Sequence, residues 1–409
     1  MNAEKTVLAP LVRGLMLHVT GKPCVVIEGA ELGDQTSRGL EVDIAPAIDG
    51  KKVDARTAAK LLSQAYMEWV QLQKAASDGC CTLPGAIRVW AGSRSLNFWI
   101  GETLDAARKR CSKNDFAAWT MEPARREGAL ATARDAVVAG RIALVTGGAQ
   151  GFGEEIVRGL TGSGALVFIA DLNLNGAAAL AESLNEEAGR TVAVPVGCNV
   201  ADEASVEAMF SLIASTAGGL DLCVSNAGVL RAGSVLDLEA NDFRFVTEVN
   251  YTAFFLVTKH AARLLRSQYI TAPGWMTDIV QINSKSGLEG SNKNGAYAGG
   301  KFGGIGLVQS YALELIEYGI KVNAICPGNF FDGPLWSHPE KGLFVQYLKA
   351  GKVPGAETVA DVKAFYEAKV PMRRGCGGMD VMRALYYLVE QAYETGQALP
   401  VTGGQVMLR

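Results

Sequence analysis

The spacing of apolar and polar positions changes rhythm near residue 140. From Arg141 onward, short runs rich in β-branched residues alternate with segments of helical period, the pattern of stacked βαβ units around a parallel sheet. Seven strands are predicted: 141–146 (RIALVT), 165–171 (ALVFIAD), 191–197 (TVAVPVG), 220–226 (LDLCVSN), 278–284 (DIVQINS), 321–327 (KVNAICP) and 398–404 (ALPVTGG). These runs are apolar on both faces, as expected when helices cover both sides of the sheet. Between 329 and 370 the alternation stops, and an insertion replaces what would be a short loop. Ligands of open α/β sheets lie beyond the carboxyl ends of the strands, so an insertion after the sixth strand is placed to cover a substrate.

Residues 1–135 do not share this rhythm. PCVVIEG (23–29) and LEVDIAP (40–46) read as strands, and Asp54 is set to cap a helix with Ala58, Leu61, Leu62, Ala65, Trp69 and Leu72 at helical spacing. Trp69, Trp90, Trp99 and Trp119 fall in this region, which predicts a core of its own. A helix over 122–139, ended by Gly140, would lead into the first strand of the second unit. The expected architecture is therefore α/β: a smaller α+β N-terminal domain of unassigned role at 1–135, then a Rossmann-type, doubly wound, seven-stranded parallel sheet at 136–409. The N-terminal region carries no recognisable chemical motif.

With 49% hydrophobic and 20% charged residues, the chain reads as an ordinary globular protein. A net charge of −3 offers no broad attraction for nucleic acid or an anionic membrane. Arg108, Lys109, Arg110 and Lys113 read as a solvated helix face. No window is apolar for long enough to span a bilayer, and MNAEKTVLAP lacks the apolar core of a signal peptide, so the expected location is the cytoplasm. The eight cysteines are scattered, without histidine partners, and no metal is expected.

The candidate chemistry centres on SKSGLEGSNKNGAYAGGK (284–301), in which Ser284 precedes Tyr297 by thirteen residues and Lys301 follows it by four. A helix puts Tyr297 and Lys301 on one face, where the ammonium is expected to lower the phenol's pKa and make it a useful base. Ser284 can then hydrogen-bond a substrate oxygen. A cofactor turn follows the first strand: Gly147, Gln150, Gly151, Phe152 and Gly153 lie between a strand and a helix, the context in which glycines admit a pyrophosphate to a helix N-terminus. Asp171 ends the second strand, where a carboxylate accepts hydrogen bonds from both adenosine ribose hydroxyls and repels a 2′-phosphate, favouring NAD. Asn226, Ala227 and Gly228 form a tight turn expected beside the adenosine and ribose, and Asn199, followed by Val200, is placed to reach the adenine.

Together TGGAQGFG, SNAG, Asn250, Ser284, YAGGK and the Pro327–Gly328 pair resemble the short-chain dehydrogenase/reductase family over roughly 141–409. The resemblance implies that Tyr297 is the acid/base, that Lys301 also binds the nicotinamide ribose, that Ser284 orients the substrate and that Asn250 holds a water in a proton relay. It also implies a homo-oligomer, a tetramer or dimer. A narrower resemblance, carried by QINSKSG, KFGGIGL, EYGI, KVP, RRGC and VTGGQVML, is to the polyol-phosphate dehydrogenases of that family. It implies NAD-dependent interconversion of sorbitol 6-phosphate and fructose 6-phosphate, small-molecule partners. YAGGK departs from the family pattern, with glycines where alanines are usual. Ser284, Lys285, Ser286, Asn329, Arg231 and Lys293 are the candidate substrate contacts, with Arg373 and Arg374 as further cations; Lys285, next to Ser284, is the first choice for a phosphate. The other readings are a dehydrogenase of an unphosphorylated polyol or other ketose, a non-catalytic NADH-binding sensor, and a fusion with separate N-terminal chemistry.

Overall fold

The computed structural model of this chain describes residues 2–29, 40–49, 52–72, 81–91, 94–113, 119–121, 134–349, 351 and 353–407. Helix α1 (Asn2–Thr20) leads into β1 (Val25–Gly29), β2 (Leu40–Asp43), α2 (Ala55–Leu72), β3 (Ala86–Ala91), β4 (Arg94–Gly101) and α3 (Leu104–Lys113). The four strands form one sheet in the order β1-β4-β3-β2, antiparallel except where β2 meets β3. Asp54 caps α2 as expected, its carboxylate accepting the Arg56 amide at 3.2 Å and the Thr57 hydroxyl.

One face of this sheet buries Leu40, Val42, Ile87, Val89 and Phe98 against Leu8 and Leu11 of α1 and Leu62 and Trp69 of α2. The other face is shared: Val25, Ile27, Ala86 and Trp99, with Leu104 and Ala107 of α3, belong to the same apolar cluster as the larger sheet that follows. A core private to residues 1–135 therefore describes one face only. Trp90 is part-exposed under the Arg88 guanidinium, and the side chain of Trp119 lies outside the described residues. Of the helix expected over 122–139, Arg134–Val138 form a 3₁₀ turn, and the stretch before it lies outside the described residues. Gly140, at φ 72°, bonds its amide to the Gly164 carbonyl and turns the chain into the next strand before an α-turn closes.

The larger unit alternates strand and helix. Its elements are β5 (Ile142–Thr146), α4 (Gly151–Gly162), β6 (Leu166–Asp171), α5 (Leu174–Ala188), β7 (Ala193–Gly197), α6 (Glu203–Ala217), β8 (Leu222–Ser225), α7 (Ala240–Thr247), α8 (Ala253–Thr271), β9 (Thr277–Ile282), α9 (Gly295–Leu315), β10 (Ile320–Pro327), α10 (Pro334–Ser337), α11 (Leu343–Lys349), α12 (Val359–Ala368), α13 (Gly378–Glu390) and β11 (Ala398–Val401). All seven strands are parallel, in the order β7-β6-β5-β8-β9-β10-β11. Helices α6, α8 and α9 cover one face, and α4, α5 and α13 the other. The strand order reverses between β5 and β8, which opens a crevice beyond their carboxyl ends. The insertion after β10 has its own aromatic cluster, with Trp336 against Phe331, Phe344 and Tyr366, and its base is closed by the Cys376 amide on the Asn329 carbonyl at 2.9 Å. Among the described residues no helix is long and apolar enough to cross a membrane.

The N-terminal unit docks at the opposite, amino-terminal edge of the large sheet. Helix α1 crosses α8 so closely that a Cβ at Gly14 would lie 2.2 Å from the Gln268 carbonyl oxygen. Next to this crossing Arg13, fully buried, donates to Asp221 through Nη2 at 2.7 Å and Nη1 at 3.2 Å, to Gln268 at 2.6 Å and to the Cys24 carbonyl at 2.8 Å. Asp105 of α3 accepts the Thr191 amide and hydroxyl, both at 2.8 Å. From Asp221 to Asn226, a strand rising about 3.3 Å per residue separates this junction by roughly 16 Å from the edge that carries the chemistry. Burial raises the Asp221 carboxyl, but Arg13, together with Arg141 and the Ile142 amide, outweighs it and leaves the group below its ordinary value. A depressed carboxylate contributes stability above its unfolded pKa and loses it as pH falls through the folded one. Arg13→Met, which strands a buried carboxylate, is expected to lower the unfolding free energy at neutral pH by about 3–5 kcal/mol. Guanidinium titrations should show that loss, and it should shrink in acid as Asp221 becomes protonated.

Candidate active site

The turn after β5 is built for close approach. Gly147 sits at φ 62° and Gly151 at φ 61°, and a Cβ at Gly153 would lie 2.0 Å from the Gly147 carbonyl oxygen. Helix α4 starts at Gly151 with Gln150 as its N-cap, and the Gln150 side chain makes no capping bond, so the first amides of α4 remain unbonded by it. Asn226 braces the turn, its Nδ2 donating to the Thr146 carbonyl at 3.0 Å and the Gly147 carbonyl at 2.9 Å; the Asn226 and Ala227 amides bond Thr146 Oγ1. Asp171 accepts the Ala149 amide at 3.0 Å and the Asn173 amide at 2.9 Å. The cap of α5 is Asn173, not Asp171, so the carboxylate is left facing the turn. Asn199 accepts the Ala201 amide at 3.1 Å, which engages its oxygen in a local turn, and Val200 beside it is buried. A glycine cradle, a helix N-terminus and an acid at the end of β6 suit a nicotinamide dinucleotide.

Ser284 follows β9, extended at φ −168°, and its Oγ accepts the Ser286 amide at 3.1 Å. Its hydroxyl also hydrogen-bonds the half-buried Tyr297. Lys301, one turn further along α9, is buried with Nζ 5.6 Å from the Tyr297 ring centre and donates to the Ile282 carbonyl at 2.9 Å. The expected lowering of the phenol does not occur: burial pushes Tyr297 up, and the Ser284 hydrogen bond opposes it. Burial also drives Lys301 down to about 8, so desolvation weakens the very charge that was to favour the phenolate. Cys326, whose thiol burial raises to about 11, is a neutral neighbour of this pair.

Asn250 lies in a five-residue π-turn (Glu248–Thr252) between α7 and α8, an irregularity frequent at functional sites. Its Nδ2 donates to the Val229 carbonyl at 2.7 Å and its Oδ1 accepts the Val229 amide at 3.0 Å. A Cβ at Gly228 would meet Asn250 Oδ1 at 2.8 Å and Lys301 Nζ at 3.9 Å, which places the SNAG turn, Asn250 and Lys301 together. Pro327 ends β10 and Gly328 follows it, with the Gly328 amide on the Val401 carbonyl, and half-buried Asn329 opens the insertion. The insertion reaches the cofactor turn through Phe330, stacked on Phe152 at 4.5 Å; an aromatic 178 positions away gave no sequence signal for this contact.

The candidate phosphate cations separate by their partners. Arg374 is paired with Asp380 at 2.5 and 2.9 Å, Arg231 lies 3.8 Å from Asp242 and against Phe245, and Arg373 donates to the Ala368 carbonyl at 2.7 Å. Lys285, half-buried in the 3₁₀ turn with Ser286, and exposed Lys293 have no acidic partner among the described residues. Among those residues no group of three His, Cys, Asp or Glu side chains could hold a metal ion.

A family model described as short chain dehydrogenase matches residues 141–336. Sorbitol-6-phosphate 2-dehydrogenase of Escherichia coli K12 is 37% identical over 270 residues, covering 65% of this chain and 99% of the relative. The chain belongs to the short-chain dehydrogenase family. Trans-4-hydroxycyclohexanecarboxylate dehydrogenase of Sinomonas cyclohexanicum is 30% identical over 274 residues, covering 66% and 93% of the two chains. The crystal structure of sorbitol-6-phosphate 2-dehydrogenase from Erwinia amylovora superposes with a TM-score of 0.60 at 38% identity, covering 65% of this chain and all of that one. The match accounts for the seven-stranded unit, an oxidoreductase acting on CH–OH groups with a nicotinamide cofactor. The N-terminal unit lies outside it. The expectation that Tyr297 is the acid/base predicts that Tyr297→Phe lowers kcat by about 10²- to 10⁴-fold. Fluorescence titration should find NADH binding largely intact.

Proposed function

We propose that the chain is an NAD-dependent dehydrogenase of a polyol phosphate, interconverting sorbitol 6-phosphate and fructose 6-phosphate. The observation that supports this most is Lys285, a half-buried ammonium with no acidic partner among the described residues, one residue from Ser284 and beside the hydrogen-bonded Ser284–Tyr297 pair. The relatives named for sorbitol 6-phosphate point the same way.

In this reading the nicotinamide supplies the hydride acceptor. Ser284 and Tyr297 hold the substrate hydroxyl between them, and Tyr297 takes its proton as the carbonyl forms. Because burial raises the phenol, the base gains strength toward that proton but is ionised only at higher pH, so alcohol oxidation should favour alkaline conditions. Lys301 stabilises the phenolate and the ribose hydroxyls, and Asn250 keeps the loop after β8 closed on Lys301. Asp171 receives the adenosine ribose and disfavours a 2′-phosphate, which supports NAD over NADP. Asn199, Val200, Asn226, Ala227, Gly228, Pro327 and Gly328 complete the cofactor cradle, and Ser286, Asn329 and Lys293 the substrate rim. A homo-oligomer, dimer or tetramer, is expected; exposed Phe255 on α8 and Phe302 and Leu313 on α9 support it.

A dehydrogenase of an unphosphorylated alcohol is the second reading, favoured by the identity to the hydroxycyclohexanecarboxylate enzyme. Steady-state assays separate the two. Sorbitol 6-phosphate with NAD should exceed sorbitol in kcat/KM, and Lys285→Met should raise KM for the phosphate by about 10- to 100-fold, the worth of a charged hydrogen bond. Equal turnover of both alcohols, unaffected by Lys285→Met, would favour the second reading. With Asp171→Asn, preference for NAD over NADP should fall.

A further inference from the structure

Strand β9 is apolar at Ile279, Val280 and Ile282, yet Gln281 within it and Asn283 just past its end are buried carboxamides, at 2% and 4% exposure. Buried amides are costly unless bonded, and these bond to the catalytic elements. Asn283 Nδ2 donates to the main-chain carbonyl of Lys301 at 2.9 Å and to Gln281 Oε1 at 2.8 Å, while its Oδ1 accepts the Ser284 amide at 2.8 Å. Two acceptors on one side and one donor on the other fix which way the amide points. Next to it, Lys301 Nζ donates back to the Ile282 carbonyl at 2.9 Å.

Residues 282, 283 and 284 thus each hold one part of the reacting set: the Lys301 side chain, the Lys301 main chain and the Tyr297 phenol. The surrounding backbone leaves space for this arrangement. A Cβ at Gly287 would lie 2.1 Å from Asn283 Oδ1, and one at Gly304 would lie 2.6 Å from Gln281 Nε2. Both glycines are where the 3₁₀ turn and α9 press on the two amides.

We infer that Asn283 is a positioning residue for the dehydrogenase reaction, locking the strand end that bears Ser284 to the helix turn that bears Tyr297 and Lys301. It acts through these protein hydrogen bonds. Its effect is to set the Ser284–Tyr297 hydrogen bond and to hold the ammonium beside the phenol. A misplacement of about 1 Å at such a site costs on the order of 100-fold in rate.

The test compares full-length wild type, Asn283→Leu, which is close in size but cannot bond, and Asn283→Ser, which keeps one hydroxyl. Turnover is measured on sorbitol 6-phosphate, sorbitol and cyclohexanol. The Tyr297 phenol is titrated by ultraviolet difference against a Tyr297→Phe background. The expected result for Asn283→Leu is a kcat fall of about 100-fold with KM and NADH affinity within about threefold. The phenol should also titrate at higher pH, and Asn283→Ser should recover part of both effects. Wild-type kcat and an unmoved phenol titration in a folded Asn283→Leu protein, or in Asn283→Ser should the former fail to fold, would overturn the inference, even if the melting temperature drops. The titration needs no substrate, so failure of the polyol-phosphate reading leaves this test in force.

Discussion

Asp221 is the point at which the two units and three strands of the large sheet are tied. Its carboxylate accepts the Ile142 amide at 2.8 Å at the start of β5, Trp275 Nε1 at 3.0 Å just before β9, and the Arg13 guanidinium from α1. Asp221 itself stands at the start of β8, between β5 and β9. Parallel strands rise together, so fixing the relative heights of their starts fixes the heights of their ends. The glycine turn, the Asn226 turn and Ser284 emerge from those ends, and the chemistry is assembled from all three. Beside this hub a second pair, Lys321 and Asp278 at 2.9 Å, is fully buried; there burial wins and the Asp278 carboxyl stays above its ordinary value.

The candidate site shows how desolvation competes with pairing. An exposed lysine one turn from a tyrosine would act on it as a permanent charge, but Lys301 is buried and driven down to about 8. Main-chain carbonyls and amides hold the set in place: Ile282 for Lys301, and Val229 for Asn250. Such neutral partners fix position without adding a compensating charge. The pair therefore remains sensitive to any group that changes its hydration, as a bound dinucleotide and alcohol would.

Much of the larger unit was legible in advance, and for identifiable reasons. Strands such as IALVT and LVFIAD are short, β-branched and apolar on both faces, so periodicity alone located them. Ser284, Tyr297 and Lys301 were legible because one helix and one preceding strand end set their separation. The smaller unit was legible only in part: the strands near 25 and 40 and the Asp54 cap were found, but not the sharing of its second face, because an alternating strand does not say what covers it. Where the helix was expected to run up to Ala139, Arg134–Val138 form a 3₁₀ turn, and Gly140 is held by Gly164 in the turn between α4 and β6.

The amino-acid sequence by itself determined the strand order along the larger unit, the glycine turn at a strand–helix junction, Asp171 after β6 and the spacing of the candidate reacting side chains. These depend on neighbours within a turn or two of chain. Tertiary structure alone decided the rest: that Arg13 meets Asp221 from 208 positions away, that Asn283 reaches the Lys301 carbonyl, and that Phe330 closes on Phe152. It also decided that burial raises the phenol of Tyr297. The physical reason is common to all four, since burial and long-range pairing belong to the packed chain and appear only when separate segments exclude water from one another.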